Sequence, residues 1–306
     1  REAAAEWFRA SNMGAVVVLP QNDDEPTDDD VDEVRERIRV AVHDRLADDE
    51  QVAATTEPLD VTLGCGARLV VRPEPGVSLV AIDAFFPGGQ ALESERTAGQ
   101  QQILARLLLR GAGGMSAAEI DRAIDEMAAS VQPYAGADTL GVSAVFTAAD
   151  ALRGLALVAD ALRDPAFPEE EFERERRRLL ADLRAAESDP FFVAARELYP
   201  RLLPGHPYRF DPRGSPDSLG RLAHRSLVRS WNDDYPLHRL SIVVSGDVPP
   251  DAVRDTLEAR LPAPPRSDAA SLRVPEALED EIPERDQQVV VHGDFAQAYV
   301  LLGFRA

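Results

Sequence analysis

Gly64-Cys65-Gly66 sits between two short alternating runs, residues 59–63 and 67–71, and this arrangement constrains the chain more than any other local feature. Glycines flanking a one-residue tip, with apolar residues spaced by two on either side, predict a β-hairpin. A third strand follows at 77–86, closed by Pro87-Gly88-Gly89. A hairpin alone is marginal in water, so these strands need a sheet and a covering layer.

That layer is written into the pattern downstream. A helix is expected over 98–110, ending at Gly111-Ala112-Gly113-Gly114. Ser116 with Glu119 three positions on predicts a capping box opening a helix over 117–129. A strand at 140–147 precedes a helix over 151–162, and Pro165 and Pro168 break the chain before a charged helix over 169–187. Helices at 191–198 and 219–231, a strand at 240–244 and a helix at 250–260 complete the series, with a turn-rich stretch at 204–216. Strand groups alternating with helix pairs predict an α+β fold: a mixed, mostly antiparallel sheet with helices packed on one face.

The flanks read differently. Residues 1–20 hold an apolar run ended by Pro20 that reads as a terminal strand of a preceding domain. Residues 21–57 read as an acidic linker and a helix over about 30–47. The α+β domain is expected over 58–275, and strand-like runs at 288–291 and 298–304 make 276–306 the start of a following domain. The chain therefore reads as a piece of a longer protein.

Composition narrows the chemistry. Of 306 residues, 33 are basic and 54 acidic, a formal charge of −21 that disfavours nucleic acid and anionic lipid surfaces. Every basic residue is arginine, which rules out a phosphate loop that needs lysine. One cysteine, Cys65, excludes a disulfide framework and a cysteine-rich metal site. No apolar run approaches the roughly 18–20 residues of a membrane span. The five histidines, His43, His206, His224, His238 and His292, include no pair at local metal-ligand spacing. The charged helix interleaves Arg174, Arg176, Arg177 and Arg178 with Glu171, Glu173 and Glu175, the pattern of a solvated face.

Taken in order, the hairpin, Phe85-Phe86-Pro87-Gly88-Gly89, the helix ending in Arg110-Gly111, the Ser-capped helix and the charged helix resemble the insulinase/pitrilysin (inverted-zincin) metallopeptidases. Gly205-His206-Pro207-Tyr208, Arg213-Gly214 and Val243-Val244-Ser245-Gly246-Asp247-Val248 extend the resemblance over about 59–261, and His206 is expected to be structural. In that family, two homologous halves of two α+β domains each close around a chamber holding peptides. Active halves carry His-x-x-Glu-His on the long helix: histidines four apart share a face and hold zinc, and the glutamate takes a proton from the attacking water.

The resemblance places Gln102, Ala105 and Arg106 at those positions, and Asp182 at the downstream carboxylate ligand. Amide, methyl and guanidinium are poor replacements for imidazole, carboxylate and imidazole. The domain is thus expected to hold no metal and no catalytic residue, with Arg106 either meeting Asp182 or a substrate carboxylate, or simply lying with Gln102 on the polar edge of the helix. Substrate-binding residues are not legible. The resemblance implies a non-catalytic half, with zinc and the catalytic residues in an N-terminal half of a zinc-dependent endopeptidase. Its partners would be that half, or a homologous subunit, and peptide substrates. The alternatives are an inert scaffold or assembly subunit of the same family, and an unrelated activity on the fold. A bacterial compartment, periplasmic ahead of cytoplasmic, is the expectation for location.

Overall fold

The expected hairpin forms in the computed structural model, which describes residues 58–263, 289–291 and 299–303. Strands β1 (Leu59–Thr62) and β2 (Arg68–Pro73) pair antiparallel, with Leu59 opposite Val71 and Thr62 opposite Arg68. Glu258, far along the chain, accepts the Gly64 N–H at 2.9 Å and ties the turn down.

Four further strands and two short ones follow: β3 (Leu79–Pro87), β4 (Gly111–Ala112), β5 (Met115–Ser116), β6 (Ser130–Ala135), β7 (Thr139–Thr147) and β8 (Ser241–Gly246). The main sheet has the order β1-β2-β8-β3-β7-β6, so the last strand inserts between β2 and β3. It runs parallel to β2, while every other pairing in the sheet is antiparallel. Side chains alternate cleanly. Leu69, Val71, Val80, Ile82, Phe86, Val142, Phe146 and Val244 are buried on one face. The opposite face carries Asp83, Ser143 and exposed Leu79, Val145 and Val243.

The eight α-helices of the described region are α1 (Gln100–Leu107), α2 (Ala117–Glu126), α3 (Ala151–Arg163), α4 (Glu169–Ala186), α5 (Pro190–Leu202), α6 (Pro216–Arg221), α7 (His224–Asp234) and α8 (Pro250–Arg260). They supply the partners of the buried face. Gly154 lets α3 lie directly on the sheet, since a Cβ there would sit 2.3 Å from the Phe146 ring. Phe86 of β3 meets Trp231 and Tyr235 edge-on, and Phe167 closes on Trp231 from the other side. The architecture is the expected α+β one.

Several local expectations need correction. β6 has no counterpart in the sequence reading; it contains Pro133, whose missing N–H an edge strand tolerates. The glycine-rich stretch after α1 folds into the small β4–β5 hairpin, where only a helix end was expected. The single helix expected at 219–231 is two: Ser215 and Ser218 form a capping box that starts α6 at Pro216, and the chain extends at Leu222 and Ala223 before α7. α1 and α2 each stop three residues early, and Ala128 takes a left-handed φ of 46° after α2.

At the far end, 289–291 and 299–303 lie outside any strand, because no ladder partner stands beside them among the described residues. Gly303 instead lies close to Leu198 and Leu202 of α5. The strand expected within 1–20, the linker and helix within 21–57 and most of 276–306 fall outside the described residues.

Candidate functional site

α1 begins at a position only glycine can fill. Gly99 caps the helix at φ 89°, and a Cβ there would lie 2.6 Å from the Arg213 carbonyl oxygen. From that start the helix buries nearly everything: Gln100, Gln101, Ile103, Leu104, Ala105 and Leu107 are all inside. Gln102 and Arg106 are the two residues of the helix that keep partial exposure. They stand four apart, on one stripe, as helical geometry requires.

Gln102 donates from Nε2 to the Ala135 carbonyl at 3.0 Å, fastening the end of β6 to α1. Ala105 is 1% exposed and packs in the core. Arg106 reaches across to α4 and divides its guanidinium between two carboxylates. Nη1 donates to Glu175 Oε2 at 3.3 Å, and Nη2 to Asp182 Oδ2 at 3.4 Å. Glu175 and Asp182 are seven residues apart, two turns of α4, and so face the same neighbour. The structure therefore brings Arg106 and Asp182 together, with Gln102 one turn away on the same helix.

Glu175 is the residue that sequence reasoning misplaced. It was expected on a solvated face, yet its side chain is only 10% exposed. The signal was available in the spacing: Phe172, Glu175, Leu179 and Leu183 follow one another at helical intervals, and all four are buried. A carboxylate on an inward stripe needs a cation, and Arg106 supplies it. Asp182 is more open, at 42%.

Chemically, the arrangement closes an ionic circuit between two helices. Both carboxylates are bonded to one permanent positive charge, and the guanidinium has no lone pair to offer a metal. As a donor set for zinc, Gln102, Arg106 and Asp182 do not fit. Among the described residues no group of three or more His, Cys, Asp and Glu side chains is placed to hold a metal ion. Ala105 offers nothing that could accept a proton.

Of the other residues considered from sequence, His43 and His292 lie outside the described residues, and His206 and His224 have local structural partners. His206 Nδ1 accepts the Tyr208 N–H at 3.2 Å, capping the turn Pro207–Arg209. Tyr208 donates its hydroxyl to Asp138. His224 Nε2 lies 2.5 Å from the Phe167 carbonyl. Cys65 is buried, and that burial pushes its thiol above the ordinary range, away from a nucleophile's requirement.

Comparison with known proteins gives the arrangement a setting. The sequence model of the family described as "Insulinase (Peptidase family M16)" matches residues 68–214. Among relatives, the chain is 25% identical over 211 residues to cytochrome b-c1 complex subunit 1 of Caenorhabditis elegans, covering 68% of this chain and 43% of the relative. It is 22% identical to a Bacillus subtilis protein called an uncharacterized zinc protease (78% and 57% covered). It is also 22% identical to a Helicobacter pylori protein called a non-peptidase homolog (72% and 50% covered). The solved structure described as a peptidase M16 inactive domain from Pseudomonas fluorescens superposes with a TM-score of 0.63 at 19% identity, covering 71% of this chain and 53% of that one. At that identity the likeness speaks for the fold. The chain spans about half the length of the relatives it matches.

Proposed function

The chain carries an insulinase-family (peptidase M16) domain, and from that premise we propose that it is a non-catalytic half of a two-half zinc metallopeptidase. Zinc and the catalytic residues belong, in this reading, to an N-terminal half of the parent protein or to a homologous subunit. The present half contributes wall and closure surface to a chamber that encloses peptides.

One observation carries the reading: Arg106 occupies the site with a guanidinium bonded to both Glu175 and Asp182. A hydrolytic zinc site needs neutral nitrogen or anionic oxygen donors, an open position for water and a base beside it. Gln102, Ala105 and Arg106 supply none of these in combination. The open face of the sheet supports the wall role. It is neither buried nor strongly apolar, with Asp83, Ser143 and Ser245 beside scattered valines, a surface suited to varied extended chains.

The test uses the parent gene. A chain bearing an intact His-x-x-Glu-His half, produced without the present half, should lose most cleavage of a quenched peptide, and adding the 306-residue chain should restore it. Full activity of the catalytic half alone would overturn the wall role. A scaffold role is the second reading, favoured by the resemblance to a subunit of the cytochrome b-c1 complex. It predicts no His-x-x-Glu-His half in the parent protein or its partner subunit.

A further inference from the structure

Segment 88–101, which leads from β3 into α1, is pinned against the 205–218 segment by buried polar side chains. Gln90 Nε2 donates to the Phe210 carbonyl at 2.7 Å and reaches the Pro207 carbonyl at 3.4 Å. Ser218 Oγ donates to the Ala98 carbonyl at 2.8 Å. Tyr235 donates to Gln101 Oε1 at 2.6 Å and accepts the Gly89 N–H at 3.3 Å.

Glu93 lies in the middle of this seam, 5% exposed. Its Oε1 accepts the Gln101 N–H at 2.8 Å, but its Oε2 is buried without a hydrogen-bond partner. The Gln101 Nε2 is likewise buried and unpartnered. Among the described residues no cation is paired with the Glu93 carboxyl. From the 205–218 side the facing charges are Asp211 and Arg213, and the Arg213 guanidinium is committed to Asp211 through two bonds of 3.0 Å. From the end of α7 the facing groups are the Tyr235 hydroxyl and, beside it, Asp234. The charged group that acts on Glu93 is Asp211, which disfavours a second negative charge there even though Arg213 is bonded to it.

We propose that Glu93 is a protonation-controlled latch: its neutral carboxyl lets residues 205–218 seat on the entry to α1, and ionisation releases them. An ionised carboxylate in this seam gains at most backbone N–H donors, and it adds negative charge beside Asp211. Outward movement of 205–218 rehydrates it, and what that movement must break is a short set of contacts: the side-chain bonds above, the Tyr208–Asp138 bond and the packing of Arg213 on Phe192. Burial, reinforced by Asp211, pushes the Glu93 carboxyl up to about 8, which places the release within reach of ordinary solution conditions. The latch acts on the first turn of α1, one turn before Arg106, and it stands whether or not the proposed chamber role is correct.

Hydrogen exchange read by mass spectrometry on the 306-residue chain tests this, with rates corrected for intrinsic pH dependence. Between about pH 5.5 and pH 8.5, protection of the amides in 205–215 should fall by about tenfold or more. At both values it should stay below that of the β3 and β7 amides. Glu93→Gln should hold the same protection throughout. Asp211→Asn, which keeps Glu93, should shrink the fall, and it stands in if Glu93→Gln does not fold. Constant protection in the parent chain, an equal fall in Glu93→Gln, an undiminished fall in Asp211→Asn, or protection equal to the strands would overturn the latch.

Discussion

Arg106 and Asp182, 76 residues apart in the chain, meet at 3.4 Å across the gap between α1 and α4. The same guanidinium holds the more deeply buried Glu175, so one side chain of α1 bonds two carboxylates of α4, and Arg178 stands 4.0 Å from Glu175 on the other side. The positions that the resemblance assigns to an active site form an interhelical brace.

Removing the brace should cost stability. Arg106→Ala leaves the buried Glu175 with only the exposed Arg178 at 4.0 Å, and that residual partner together with the partial exposure of Arg106 and Asp182 tempers the loss to about 1–2 kcal/mol. Adding Glu175→Gln to Arg106→Ala should return part of it. Urea unfolding of the two variants measures both effects, and additive losses would contradict the pairing.

The same geometry is convertible. Gln102→His with Arg106→His places two imidazoles on one helical stripe facing Asp182 and frees both carboxylates. The double variant should bind one zinc ion by calorimetry, and it should remain inactive because Ala105 supplies no base. Absence of binding in a folded double variant would mean that the two positions and Asp182 do not converge.

Glu93 sets a pH dependence whose sign is opposite to that of a salt-bridged acid. Its carboxyl ionises near the ordinary value in the unfolded chain and only at about 8 in the folded one. Its contribution is therefore fully present below the ordinary range, is lost as pH rises toward about 8, and is constant above that. The loss is on the order of a few kcal/mol, and Glu93→Gln should flatten it, as read from urea midpoints across that window.

Gly99→Ala should be among the more damaging single-methyl changes. It combines a left-handed backbone position with a Cβ placed 2.6 Å from the Arg213 carbonyl, a rigid neighbour. A loss of about 2 kcal/mol or more is expected from thermal or chemical unfolding.

How much of this was legible in sequence depended on how local the cause was. The Ser116–Glu119 box reads directly because both of its bonds lie within four residues, and both form. Gln102 and Arg106 share a stripe because helical spacing alone dictates it. β6 has no counterpart in the sequence reading; it contains Pro133, whose tolerance depends on the strand lying at a sheet edge, a fact of topology. The break between α6 and α7 was hidden because the apolar rhythm of Leu219, Leu222, Leu227 and Trp231 runs straight across it. Glu175 was masked by its own neighbours: in a run of alternating charges, the one acid facing inward is distinguished only by the apolar residues before and after it.

The central claim is that α1 and α4 form a brace with no chemistry of their own. Its most direct test is metal analysis of the purified chain after incubation with excess zinc, followed by assay on a quenched peptide mixture. The account predicts zinc well below one ion per chain and no cleavage with or without chelator. One tightly held zinc ion accompanied by chelator-sensitive cleavage would contradict it.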